Sequence, residues 1–198
     1  MAVKDTNLYK LLKTKEIIAI LDGDTKYGKY EFEDGTTVVT AMPYLSGPDL
    51  CSISTLFGLP MSYSWGKGAV NLSRWQYLDN LMGHCINENR FSDLLSYLFS
   101  KEQFSKIFHG RGADEIESAY THITNEIIQK INGILYFGGN ELTVIGTQFI
   151  VKPIGSKVTV QAPQIKSIDR EYIKSISHRA MQDVEQQNYD SAITKSRT

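Results

Sequence analysis

The 198-residue chain predicts an α+β fold. Apolar residues recur at helical spacing in several segments, and two stretches rich in β-branched and aromatic residues are divided by glycines. Ser and Asp stand where helix caps belong. The expected architecture is a mostly helical module with a small β-hairpin and a short β element, followed by the first helices of an incomplete bundle.

Taken in order, Leu8, Leu11, Leu12, Ile17, Ile18 and Leu21 form one apolar stripe, which predicts an amphipathic helix or one that breaks near Thr14. "YEFEDGTTVVTAM" predicts a hairpin, because Asp34-Gly35 tolerates the positive φ of its turn. In "PYLSGPDLCSISTLFGLP", Ser46 caps a helix, Pro48 suits its first turn, Asp49 completes a capping box, and Gly58 with Pro60 ends it. After a loop rich in Gly and aromatic residues, Ser73 caps a second helix with Trp75, Leu78, Met82 and Cys85 along the stripe expected to be buried.

"RFSDLLSYLFSKEQFSKIF" supplies one or two short helices, and a longer one is expected from Glu115 to Leu135, stopped by Gly138-Gly139. "ELTVIGTQFIVKPIGSKVTVQAP" predicts two or three short strands. Asp169 then caps a helix carrying Tyr172, Ile173, Ile176, Ala180 and Val184, and a further helix begins near Tyr189.

Hydrophobic content of 41% and charged content of 22% belong to a folded globular chain. With 21 basic against 22 acidic residues, the net charge of -1 creates no global attraction to nucleic acid or an anionic membrane. Cys51 and Cys85 lie in apolar helical surroundings, as reduced core thiols do. No apolar run reaches membrane-span length and the first residues are charged, so the cytoplasm is the expected compartment, without membrane partners.

"MPYLSGPDLCSISTLFG" followed by "LSRWQYLDNLMGHCINENRFSDLLSYLF" resembles the amino-terminal module of bacterial abortive infection proteins, and "IDREYIKSISHRAMQDVEQQNYDSAITKSRT" resembles the first helices of their carboxy-terminal HEPN-like domain. The resemblance implies an amino-terminal module over 1–140, a small β element or connector over 141–165, and the start of a truncated HEPN-like domain over 166–198. It implies an anti-phage protein that damages RNA when triggered, with an Arg and His of its ribonuclease site expected beyond Thr198. The present residues would be its sensing, regulatory or assembly portion, catalytically silent and without cofactor. Implied partners are a second copy through the carboxy-terminal helices, a phage or host trigger, and RNA as the target of the full-length protein.

Three groups of residues invite a site. Tyr63, Trp65, Lys67 and Arg74 set aromatic surface beside positive charge, as base stacking and protein hot spots both require, although tryptophans of this kind also serve as core. Lys130, Lys152 and Lys157 flank a helix-then-hairpin order like that of a winged helix and could touch phosphates, although lysines around a solvated hairpin are ordinary. In "FHGRGADEIE", His109, Arg111, Asp114, Glu115 and Glu117 offer the groups of a nuclease or hydrolase, while acidic residues at a helix start equally complement its dipole. His84, His109, His122 and His178 lack the spacing of metal ligands, so no metal is expected.

Overall fold

The structure is a computed structural model and describes residues 6–63, 72–156 and 181. The chain divides into two units, Met1–Ser156 and Lys157–Thr198. All the elements named below belong to the first. Trp65, Lys67, Lys157, His178 and, apart from Met181, the expected bundle start over 166–198 lie outside the described residues.

The opening stripe does break at Thr14. Helix α1 (Thr6–Lys10) runs into a 3-10 turn, Leu11–Lys13, and α2 (Lys15–Leu21) starts afresh with the Thr14 side chain accepting from the Ile17 N–H at 3.4 Å. Strands β1 (Gly28–Glu31) and β2 (Thr37–Thr40) pair antiparallel, Tyr30 opposite Val38. Gly35, at φ 78°, takes the left-handed position in the loop between them, which Asp34 and Thr36 brace with their own hydrogen bonds.

Helix α3 (Gly47–Leu56) carries the expected capping box: Asp49 Oδ2 accepts from the Ser46 N–H at 2.9 Å, and the Asp49 N–H reaches Ser46 Oγ at 3.3 Å. Its end is closed by neighbours. The Phe57 carbonyl receives Arg90 Nη1 at 3.2 Å and lies 3.1 Å from His84 Nε2, which must therefore carry the proton. Helix α4 (Arg74–Asn87) starts with the Gln76 side chain reaching back to the Ser73 N–H at 2.8 Å. Helix α5 (Phe91–Leu98), a 3-10 turn at Lys101–Phe104 and the long α6 (Ala113–Leu135) follow.

One core joins these helices, built from Ile17, Ile20, Leu50, Leu78, Leu81, Met82, Cys85, Leu94, Phe99 and Phe104, with Ala119, Ile123, Ile127, Ile131 and Leu135 from α6. Each fully buried Leu, Ile, Phe or Met among them contributes about 1.5–3 kcal/mol by leaving water. Trp75 departs from the expectation, being 39% exposed with the Lys15 ammonium 5.0 Å from its ring centroid. The buried stripe of α4 is Tyr77, Leu78, Leu81, Met82 and Cys85, so the first turn, where Trp75 sits, projects past the core edge.

The β element has two strands among the described residues, β3 (Asn140–Ile145) and β4 (Gln148–Pro153), joined through Gly146 at φ 61°. The stretch expected to hold a small β element or connector, 141–165, thus contains most of a hairpin whose Leu142, Phe149 and Val151 belong to the same core. Both outer edges of this hairpin are paired with helix side chains. Asn132 of α6 behaves as a strand residue toward β3, donating Nδ2 to the Leu142 carbonyl at 2.9 Å and accepting the Leu142 N–H at 2.6 Å. On β4, Ser92 donates to the Phe149 carbonyl at 2.7 Å and Ser96 accepts the Phe149 N–H at 3.0 Å. A two-stranded hairpin alone is marginal in water; here the helices supply the missing neighbours.

Asn132→Ala leaves both Leu142 backbone groups without that partner, and is expected to lower unfolding free energy by about 2 kcal/mol in a urea titration. A midpoint indistinguishable from the parent would contradict this role.

Candidate functional site

The residue singled out beside the aromatic loop, Arg74, turns inward. Its Nε donates to the Leu45 carbonyl, Nη1 to Asp24 Oδ1 and Nη2 to the Asp22 carbonyl, each at 2.7 Å. Asp22 Oδ2 lies 3.6 Å from Nη2, and the Tyr44 ring centroid 3.9 Å from the guanidinium carbon. The planar fork of arginine suits this convergence of oxygens, where the point charge of lysine would not. Asp22 is 1% exposed. Burial pushes its carboxyl above the usual range, opposed by the Asp24 N–H and the Arg74 charge.

Gly23, at φ 81°, lets the Asp22–Asp24 turn approach the crossing segment: a Cβ there would lie 2.6 Å from the Pro43 carbonyl oxygen and 2.7 Å from Tyr44 Cα. Tyr63 also has a packing role, its ring covering Gly47 where any side chain would stand, with the Tyr77 ring centroid 6.0 Å away. Arg74 and Tyr63 hold the crossing segment and α3 in place, and Trp65 and Lys67 lie outside the described residues.

What Arg74 positions is one lip of a cleft of about 740 Å³. Pro43, Tyr44 and Leu45 form that lip; Ser46, which caps α3, and Asp49, Ser52 and Ile53 within α3 line the cleft together with Tyr97, Glu102, Gln103, Ser105, Lys106 and Ile107. The volume is within the range of ligand sites, roughly 300–1,000 Å³. Tyr44 is 63% exposed although its ring stacks on Arg74. The Ser46 hydroxyl and N–H hold the Asp49 carboxyl below its ordinary range, helped by the charge of Lys106 across the cleft. Sequence reasoning missed this site, since its walls meet only through tertiary packing.

In the 109–117 segment Arg111 and Glu115 meet, while the other groups make contacts elsewhere or face solvent. Arg111 binds Asp34 at 2.6 Å, lies 3.4 Å from Glu115, contacts Thr36 Oγ1 and places its guanidinium carbon 4.1 Å from the Phe32 ring centroid. Glu115 accepts the Gly112 N–H at 3.0 Å and Glu117 pairs with Lys101, so this segment braces the β1–β2 loop against the start of α6. His109 and Asp114 are exposed.

Of the three lysines, Lys130 stands 5.3 Å from the Tyr27 ring centroid, and Lys152 is engaged within the hairpin by Glu141 at 3.0 Å and the Ser156 carbonyl at 2.7 Å. Both cysteines are buried and free, and burial pushes the Cys51 thiol up and the Cys85 thiol to about 11, which keeps them protonated at neutral pH. Among the described residues no group of three His, Cys, Asp or Glu side chains is placed to hold a metal, and no helix is long and apolar enough to cross a membrane. No family model, curated protein or solved structure matches the chain.

Arg74→Ala leaves the buried Asp22 without its cation, and is expected to cost about 3 kcal/mol in chemical denaturation, with Arg74→Lys recovering only part. An unchanged denaturation midpoint for Arg74→Ala would refute the assignment. Asp34 offers a pH readout: bonds from the Thr36 hydroxyl, Arg111 and the Thr36 N–H lower its pKa from 3.8 to about 2. The native state thus favours the carboxylate, and the stabilisation is complete above the unfolded value and lost as pH falls from about 4 toward 2. In an NMR carboxyl titration, Arg111→Ala should move the Asp34 midpoint back toward 3.8; an unmoved midpoint would show that Arg111 contributes nothing there.

Proposed function

We propose that residues 6–156 form a recognition module serving as the regulatory or assembly portion of a bacterial anti-phage abortive infection protein. The observation that carries this reading is the place of the cleft. Its α3 wall is built by "LSGPDLCSIS", part of the sequence that resembles the amino-terminal module of that family, and its lip by the Tyr44–Leu45 segment that Arg74 fixes. The charges closest to a hydrolytic set, Arg111, Glu115 and Glu117, serve tertiary contacts, which supports binding rather than turnover as the work of this unit.

In this reading the module receives a signal or a partner through the cleft, and the RNA damage implied by the family resemblance belongs to another part of the protein. A concavity of this size suits such a role, since ligand and peptide sites are concave and of this volume.

The test fills the cleft without touching the core. Ser52 is exposed on α3, so Ser52→Trp should leave the thermal melt unchanged while obstructing the space between the walls. In bacteria carrying the full-length protein, phage plating should change by about tenfold or more relative to the parent, the effect of losing roughly 1.4 kcal/mol of binding. Plating equal to the parent, with the variant expressed and folded, would reject the module reading.

A further inference from the structure

We infer that the cleft takes a short peptide segment of a partner protein, one with an apolar side chain between a basic and an acidic residue. This rests on the module reading above and names the chemistry of its partner. The α3 wall is a wall of acceptors. Ser46 Oγ already donates to Asp49 Oδ2 at 2.5 Å, and Ser52 Oγ already donates to the Pro48 carbonyl at 3.0 Å. With those hydrogens committed, both hydroxyls meet an incoming group as acceptors, beside a carboxylate held ionised. The full charge of Asp49 outweighs the partial positive charge of the first turn of α3, so the wall favours an ammonium or guanidinium.

The other side of the cleft carries Lys106 beside the acidic Glu102, and Lys106 makes a second demand. Lys106 influences Asp49 across the space, yet among the described residues it enters no ion pair; a carboxylate or peptide carbonyl set beside it would gain a charge-assisted bond. Gln103 and Ser105 stand with it as neutral groups able to donate or accept. Between the walls, Leu45 and Ile53 are buried and Tyr97 half-buried, an apolar lining for one aliphatic or aromatic anchor. A simple cation would leave Lys106 itself unanswered, and an anion would meet Asp49 and Glu102. Both charges on one chain, separated by an apolar residue, satisfy the two walls together.

Fluorescence anisotropy on the full chain tests this with three labelled hexapeptides sharing a central Leu-Tyr pair. One carries Arg before and Glu after it, the second has the order reversed, and the third has Gln at both places. One charged peptide should bind saturably, the Gln peptide about tenfold more weakly, and Lys106→Glu should weaken the charged peptide by about tenfold without shifting the melting temperature. Equal binding of all three, absence of binding by both charged peptides, or indifference to Lys106→Glu overturns the proposal. The phage assay on Ser52→Trp reports on the module reading separately: altered plating without peptide binding rejects the peptide and keeps the module, whereas parental plating with binding lost rejects the module and keeps the peptide.

Discussion

The structure depends first on the guanidinium of Arg74. It stands at the first position of α4 yet bonds the Asp22–Asp24 turn that follows α2 and the Leu45 carbonyl that precedes α3. Three segments that are distant in sequence are thereby fixed at one point. The same contact makes a buried carboxylate tolerable: Asp22 without a cation would carry a desolvation penalty of several kcal/mol, and its depth brings the turn against the Pro43–Tyr44 backbone. Only glycine fits between them at Gly23, for reasons of both conformation and space.

A second device of the same kind seats the β3–β4 hairpin. Its exposed backbone edges would invite pairing with another strand, and Asn132, Ser92 and Ser96 answer them from flanking helices. Phe149 then stacks on Phe99 with centroids 4.6 Å apart, and Tyr120 donates to the Phe99 carbonyl at 2.5 Å, tying α5, α6 and β4 around one aromatic pair. The polar bonds fix the strand register and the rings supply the burial; either alone would leave a two-stranded ribbon under-specified.

Features decided by neighbours along the chain are legible from the residues alone. The Thr14 break, the Ser46–Asp49 capping box, the Gly35 turn and the stripe of α6 all arise from residues within a turn or two of each other. Roles set by distant partners are not. Arg74 reads as a surface cation because nothing in "LSRWQ" indicates that Asp22 and Leu45 stand above it, and Trp75 reads as core because helical periodicity reports the angle of a residue and not where the core ends. Asn132 resembles an ordinary helix polar residue, though its amide completes a sheet. The cleft escapes for the same reason, its walls being brought together only by packing.

This division between local and distant charge use bears on how the unit can recognise anything. Arg74 and Arg111 are tied down, Lys152 and Glu141 pair with each other, and the net charge is -1, so little long-range field remains to steer a partner. A segment binding at the proposed site would then associate at the slower rate of an unsteered encounter, and selectivity would arise in how long it stays. Its residence would in turn depend on the lip keeping its shape. Tyr44 stays exposed yet backed, because the guanidinium against its ring is the same one that bonds the Leu45 carbonyl and the Asp22–Asp24 turn, and so the proposed site is only as well formed as that contact.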